Sequence, residues 1–90
     1  MSREHLEIGG LYRYTSDDND QLWETPSGEM YLDGQNELAD VLEPNDLVTV
    51  IGGCIKDIDY LNYRVVVART GTVGWLMLMD FGLEQFERIS

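Results

Sequence analysis

The chain has 90 residues, 43% of them hydrophobic and 26% charged, and 17 acidic against 6 basic residues give a formal net charge of −11. A chain of this length forms one domain, so we treat residues 1–90 as a single unit. The excess of acids disfavours direct binding to nucleic-acid phosphates, and no apolar run approaches the roughly 20 residues of a membrane span. The polar start Met1–His5 is not followed by an apolar signal-peptide core, and a single cysteine cannot form an internal disulfide. We therefore expect a cytoplasmic protein.

The first strand signal is the aromatic-rich stretch Ile8–Thr15. Alternation along a strand places Tyr12 and Tyr14 on one face and Leu11 and Arg13 on the other. The sequence therefore predicts a half-buried strand at the start of the domain.

A long segment follows, and it opens on the turn-forming run Thr15–Asp20, which predicts an exposed loop. Gln21–Thr25 and Glu29–Leu32 predict two short strands joined by a turn at Pro26–Gly28, because proline and glycine suit the central turn positions. Asn36–Val41 has the strongest helical pattern of the chain, with an irregular loop as the alternative.

The rest of the chain predicts a turn, three more strands, a helical turn and a closing strand. In chain order these are a turn at Glu43–Asp46, a strand at Leu47–Ile51 ended by Gly52 and Gly53, a strand within Tyr60–Arg69, a turn at Thr70 and Gly71, a strand at Val73–Met79, a helical turn at Asp80–Gln85 and a strand at Phe86–Ile89. About five short strands with glycine-rich corners favour a small all-β barrel.

The order of these elements resembles an SH3 domain. Gly10–Tyr14 (GLYRY) is similar to the ALYDY motif that opens such domains, and Glu43–Ile51 is similar to the strand after the family's diverging turn. Thr70–Leu76 resembles the distal hairpin, and Phe86–Ile89 resembles the final strand. The resemblance implies an SH3-like small barrel of about five strands, with a long first loop that carries an extra hairpin. Acidic SH3-like proteins of this size occur among uncharacterised phage and bacterial proteins, which implies a location in the host cytoplasm.

The chain departs from that family at the groove that binds polyproline helices. Arg64 falls where the groove tryptophan stands, and Met77 falls where the groove proline stands. Of the usual ligand-contacting set, Tyr12 and Tyr14 carry over. We therefore expect no binding to ordinary PxxP peptides.

The stretch Val73–Met79 is apolar on both faces of its predicted strand. Alternation places Trp75, Met77 and Met79 on one face, and Leu76 and Leu78 on the other. One face belongs to the core. The Trp75 face is either covered by Asp80–Gln85 or the long first loop, or it is a patch for a protein partner or a second copy of the chain.

These features predict a protein-interaction module with an unidentified protein partner. The candidate contact residues are Tyr12, Tyr14, Trp75, Met77 and Met79. An alternative is an acidic mimic that occupies the nucleic-acid site of a basic host protein, because ten acids and no Lys or Arg lie between Tyr14 and Ile55. Its candidate residues are Asp17, Asp18, Asp20, Glu24, Glu29 and Asp33.

The inventory of reactive side chains argues against an enzyme, and we expect no cofactor, no catalytic residue and no metal site. His5, the single histidine, lies near the N-terminus, and Cys54 lies among apolar and small neighbours. Asp17–Asp20 clusters oxygen ligands but lacks the spacing of a calcium loop, so a solvated turn explains it better.

Overall fold

The computed structural model describes residues 5–24, 37–57 and 60–90. These residues contain seven β-strands and one 3-10 turn. The side chains of Cys54, Asp57, Asp80 and Phe81 are outside that description. In chain order the elements are β1 (Leu11–Tyr14), β2 (Asp20–Trp23), β3 (Leu38–Leu42), β4 (Leu47–Asp57), β5 (Tyr60–Val67), β6 (Val73–Leu78), a 3-10 turn at Asp80–Gln85 and β7 (Phe86–Arg88). The predicted all-β class is confirmed, as are the helical turn at Asp80–Gln85 and the closing strand after it.

The seven strands form one antiparallel sheet in the order β3-β2-β6-β5-β4-β1-β7. β4, β5 and β6 form a meander, and β1 lies between β4 and β7. The sheet is open, because β3 and β7 stand at its two ends among the described residues and do not pair with each other. The sheet is therefore not closed into the barrel that the sequence predicts.

The sheet curls around a single core. Leu42 on β3 and Phe86 on β7 come from opposite ends of the strand order, yet both belong to one buried cluster. Only a strongly curved sheet brings its two ends to the same cluster, and the right-handed twist of strands supplies such curvature. The inner face also receives Leu83 from the 3-10 turn. The core is thus enclosed by one curved sheet and capped by a short turn.

The turn before β4 forms as its residues predict. The N–H of Asp46 donates to the carbonyl of Glu43 over 3.0 Å, and Asn45 has a φ of 72°. Proline at the first central position and a positive φ at the second are the arrangement of a type II turn. Pro44 and Asn45 therefore fix the direction in which the chain enters β4.

The pair Gly52 and Gly53 does not end the strand as predicted, because β4 continues to Asp57. The register against β5 shifts on both sides of Gly52, which marks β-bulges. Gly53 has a φ of 106°, and a Cβ there would lie 2.6 Å from the carbonyl oxygen of Asn62. The glycines let a long strand bend and continue.

The long first loop carries strands, as predicted, but with a different pairing. β2 pairs with β3, so Leu38–Leu42 is a strand rather than the helix or irregular loop expected for Asn36–Val41. Pairing with β2 overrides the weak helical pattern. The predicted turn at Pro26–Gly28 and the strand at Glu29–Leu32 lie outside the described residues.

Candidate functional site: the outer face of the sheet

Alternation along β1 and β6 decides which candidate contact residues reach the surface. In β6, Leu76 and Leu78 are buried in the core, while Trp75 and Met77 are half-buried on the opposite face. Met79, just after the strand, is exposed. The predicted division of this stretch into two faces is confirmed.

Tyr12 and Tyr14 belong to the interior and not to the surface. Their exposed fractions are 0% and 2%, and the Tyr14 ring packs against Phe86 with the ring centroids 5.3 Å apart. Neither side chain lies on the outer face that carries Trp75 and Met77. The structure therefore corrects the assignment of these two tyrosines, which pack in the core.

The structure brings a second tryptophan to Trp75. Trp23 on β2 is the direct cross-strand partner of Trp75 on β6, and both side chains are half-buried. On the far side of β6, Arg64 of β5 is the other neighbour of Trp75, and it is exposed. Leu38 of β3 faces Trp23 and is 47% exposed. Directly opposed side chains in a sheet lie within contact distance, so these four residues form one row across four strands.

A second set of apolar side chains extends this row along the strands. Val73 lies two residues before Trp75 on the same face, is 42% exposed and faces the half-buried Val66. Met77 lies two residues after Trp75 and faces Asn62. We name Leu38, Trp23, Trp75, Arg64, Val73 and Met77 the outer tryptophan face.

Asn62 is a buried polar residue next to this face. Its side-chain Nδ2 donates to the carbonyl of Ile55 over 2.9 Å across the β4–β5 pair. This bond ties the end of the long hairpin at the place where the bulges have shifted the register. Asn62 therefore fixes the strand that carries Arg64.

The described parts of the 3-10 turn that pack against the sheet lie on its inner face, and the side chains of Asp80 and Phe81 are outside the description. Leu83 from this turn is in the core cluster, and a Cβ on Gly82 would contact the side chain of Leu78 on the inner face. In the sheet β2 lies beside β6 and β3 lies beside β2, so these first-loop strands extend the face instead of folding over it. Of the two covers considered from the sequence, the described residues show neither lying over Trp75, and residues 25–36 lie outside that description.

The acids of the predicted acidic face differ in their exposure. Asp17, Asp18 and Glu24 are exposed, and Asp20 is half-buried, while Glu29 and Asp33 lie outside the described residues. At the edge of the outer tryptophan face, the N–H of Glu24 donates to the carbonyl of Glu37 over 2.9 Å, which places two exposed acids there.

Other acids of the same stretch bind Arg69 instead of facing a partner. The Asp46 carboxylate accepts from Nε and Nη2 of Arg69 over 2.9 and 3.1 Å. Glu43 forms an ion pair with the same guanidinium at 3.0 Å, and Nη2 also donates to the carbonyl of Val41 over 2.9 Å. This network joins β3, the type II turn and the β5–β6 turn.

The electrostatics of the network follow from its hydrogen bonds. Burial alone would raise the pKa of Asp46, but the bonds from Arg69 and from the Glu43 N–H outweigh it and hold the pKa below its ordinary value. The Thr70 hydroxyl, 2.6 Å from Asp40, and the Val41 N–H lower the pKa of Asp40. These acids are ionised and engaged in the fold, which leaves fewer of the ten acids free for a basic partner.

Reactive groups show little clustering. His5 Nδ1 lies 3.4 Å from the hydroxyl of Tyr63, and the Cys54 side chain is outside the described residues. Among residues 5–24, 37–57 and 60–90 no three His, Cys, Asp or Glu side chains stand close enough together to hold a metal ion. The same part of the chain contains no helix that is both long and apolar enough to span a membrane.

Comparisons with known proteins find no matching family model, no matching curated protein and no matching solved structure. Any assignment of function therefore rests on the residues of this chain.

Sequence reasoning identified Trp75 and Met77 but did not associate Trp23 with them. The local pattern around Trp23 predicts a strand, and it carries no information about which strand lies beside it. The β2–β6 pair joins residues more than 50 positions apart. Only the three-dimensional pairing reveals that both tryptophans of the chain share one row.

Proposed function

We propose that this chain is an SH3-like domain that acts as a protein-interaction module, binding through the outer tryptophan face. The strand pairing supports the SH3-like assignment: the first strand lies between β4 and β7, β4–β6 form a meander, and a 3-10 turn precedes the last strand. The role we assign is binding and not catalysis.

The paired tryptophans are the observation that carries this proposal. Trp23 and Trp75 are cross-strand neighbours and partly accessible, and the exposed Arg64, Leu38 and Val73 surround them. Tryptophan and arginine are the residues most enriched among those that dominate binding energy at protein interfaces. A row of this composition suits the centre of an interface.

Charge defines the chemistry of the partner. The chain carries a net charge of −11, and Glu24 and Glu37 lie at the edge of the face. We infer a partner surface that presents apolar side chains to the tryptophans and basic side chains to the rim, since opposite charges speed association and set orientation. We further propose that this encounter takes place in a bacterial cytoplasm, as the resemblance to small phage and bacterial proteins implies.

The test compares the wild type with two matched variants. Val73→Glu and Ile89→Glu each add one negative charge at a side chain that is about half exposed, 42% and 47% respectively. Val73 lies on the outer tryptophan face, while Ile89 follows β7, four strands away from β6. Partners captured from a lysate of the producing cell should be lost with Val73→Glu and retained with Ile89→Glu.

Intrinsic fluorescence gives a direct second readout. Both tryptophans of the chain lie on this face, so partner docking should shift their emission and protect them from a soluble quencher. Equal capture by both variants with unchanged emission would refute the proposal. Binding through the acidic stretch would instead collapse between about 0.1 M and about 1 M salt, where the Debye length falls from about 10 Å to about 3 Å.

A further inference from the structure

The segment His5–Ile8, which we name the N-terminal strap, is bound against the domain without being part of any strand. The Leu6 side chain is 4% exposed and belongs to the core cluster, whereas Ile8 is 64% exposed. The strap therefore inserts one apolar side chain into the domain and leaves the next one outside.

Side-chain hydroxyl groups bind the backbone of the strap. The N–H of Leu6 donates to the Tyr63 hydroxyl over 3.2 Å, and the N–H of Glu7 donates to the Tyr12 hydroxyl over 2.9 Å. These tyrosines come from β5 and β1, and their rings are buried. These two N–H groups therefore bond to side chains of the domain and not to the carbonyls of a neighbouring strand.

An arginine recognises the acidic side chain of the strap. Arg88 Nη1 lies 2.8 Å from Glu7 Oε2, and the Arg88 guanidinium lies 5.8 Å from the centroid of the Tyr12 ring. Backbone, apolar side chain and acidic side chain of the strap each have a complementary group, and three residues supply the polar ones: Tyr12, Tyr63 and Arg88.

A glycine turn connects the strap to β1. Gly9 has a φ of 88° with open space around its Cβ position, and the N–H of Gly10 donates to the Glu7 carbonyl over 3.0 Å. The N–H of Gly9 donates to the Val50 carbonyl over 2.7 Å, which fixes the start of β1 independently of Leu6 and Glu7. The pairing of β1 therefore does not depend on the contacts of Leu6 and Glu7.

We propose that Tyr12, Tyr63 and Arg88 form a recognition site for an extended peptide that carries leucine followed by an acidic residue, and that the strap occupies this site as a displaceable intramolecular ligand. A partner segment of the same chemistry would exchange with the strap. The site lies at the inner side of β1 and β5. The peptide-binding proposal is therefore independent of whether the outer tryptophan face binds a protein.

The test uses the full chain, labelled with ¹⁵N, and a synthetic peptide of residues 1–8 with an amidated C-terminus. Because a tethered ligand has an effective concentration in the millimolar range, the peptide should bind the wild type weakly. Glu7→Gln removes the ion pair from the strap but not from the peptide, so apparent affinity should rise about 2- to 5-fold. Glu87→Gln is the matched control, because it removes the exposed Arg13–Glu87 pair away from the strap and should leave affinity unchanged.

Leu6→Ala weakens the strap further, and the peptide should then bind at least about tenfold more tightly, with shifts at the Tyr63 and Arg88 amides. A folded Leu6→Ala protein that binds no better than the wild type overturns the proposal. If Leu6→Ala does not fold, hydrogen exchange of the wild type decides. The Leu6 and Glu7 amides should exchange much faster than that of Val65 in the central strand, and equally slow exchange would show that the strap opens only on global unfolding.

Discussion

At the scale of single residues, Asp46 is a nearly buried carboxylate that depends on its hydrogen-bond donors. Its side chain is 7% exposed, and it accepts hydrogen bonds from Arg69 and from the Glu43 N–H. Asp46→Asn keeps the shape but turns one accepting atom into a donor that faces other donors. We expect a loss of about 1–3 kcal/mol in the free energy of unfolding at neutral pH, measured by urea denaturation.

The control for this change is Glu87→Gln, which alters an exposed ion pair and should cost less than about 1 kcal/mol. The pKa of Asp46 is below its unfolded-state value, so its stabilising contribution is complete above that value and is lost as pH falls through the folded pKa. Asp46→Asn should therefore flatten the acid side of the stability curve. If the free energy of unfolding of Asp46→Asn falls as steeply with decreasing pH as that of the wild type, Asp46 does not have this role.

The pKa of Asp20 is shifted in the opposite direction to that of Asp46. Burial raises the pKa of Asp20, and its hydrogen bond with the Gln21 N–H only partly offsets this. The folded state therefore bears a penalty when Asp20 is ionised. This penalty disappears once pH falls below the unfolded-state pKa, because both states are then protonated.

Asp20→Asn should stabilise the protein at neutral pH, and thermal melts should show this gain shrinking as pH falls through the raised folded-state pKa of Asp20 and vanishing below its unfolded-state value. Asp17→Asn removes the same charge from an exposed side chain and serves as the control. If both variants gain equally, relief of the net negative charge, and not burial of Asp20, explains the effect.

At the scale of elements, the bulge in β4 depends on Gly53. Gly53→Ala places a methyl group 2.6 Å from the Asn62 carbonyl oxygen at a φ of 106°. The backbone conformation alone costs about 1–3 kcal/mol, and the clash adds to it. Gly71→Ala is the matched control, since its φ is 73° and a Cβ there meets no atom within 4 Å. Denaturant titration of both variants should show a clearly larger loss for Gly53→Ala.

Element types were predictable where residues restrict the local backbone. Pro44 and Asn45 specify their turn by backbone geometry, and the alternation in β1 and β6 assigns their two faces. The continuation of β4 beyond Gly53 was not predictable, because a glycine pair is equally consistent with a strand end and with a bulge. β3 was missed since its strand conformation depends on pairing with β2, which lies in a different local window.

At the scale of the whole molecule, the side chains that share one face of a strand were easier to predict than the arrangement of the sheet. Alternating residue patterns place Leu76 and Leu78 on one face of β6, and both belong to the core. These patterns do not indicate that β2 lies beside β6 or that the sheet remains open. The sequence predicts only part of the candidate site, for the same reason. Trp75 lies in a recognisable apolar stretch, whereas Trp23 becomes its neighbour only through long-range strand pairing.

Charge and the outer tryptophan face act against each other in self-association. Two copies that each carry −11 repel one another, while Trp23, Trp75 and Val73 offer apolar surface to a second copy. We expect monomers at low salt and weak association as salt rises, because screening removes the repulsion and leaves apolar burial intact. Sedimentation velocity at about 0.1 M and about 1 M salt measures this directly.

The same variants locate the association. Val73→Glu should abolish the salt-induced dimer and Ile89→Glu should retain it, because both add one charge but only Val73 lies beside Trp75. Met77→Glu is a less clean choice, since Met77 is half-buried against the fully buried Asn62 and a charge there also threatens the fold. A dimer that weakens as salt rises would show that opposite charges hold the copies together. The acidic stretch and the few basic side chains would then form the contact in place of the tryptophans.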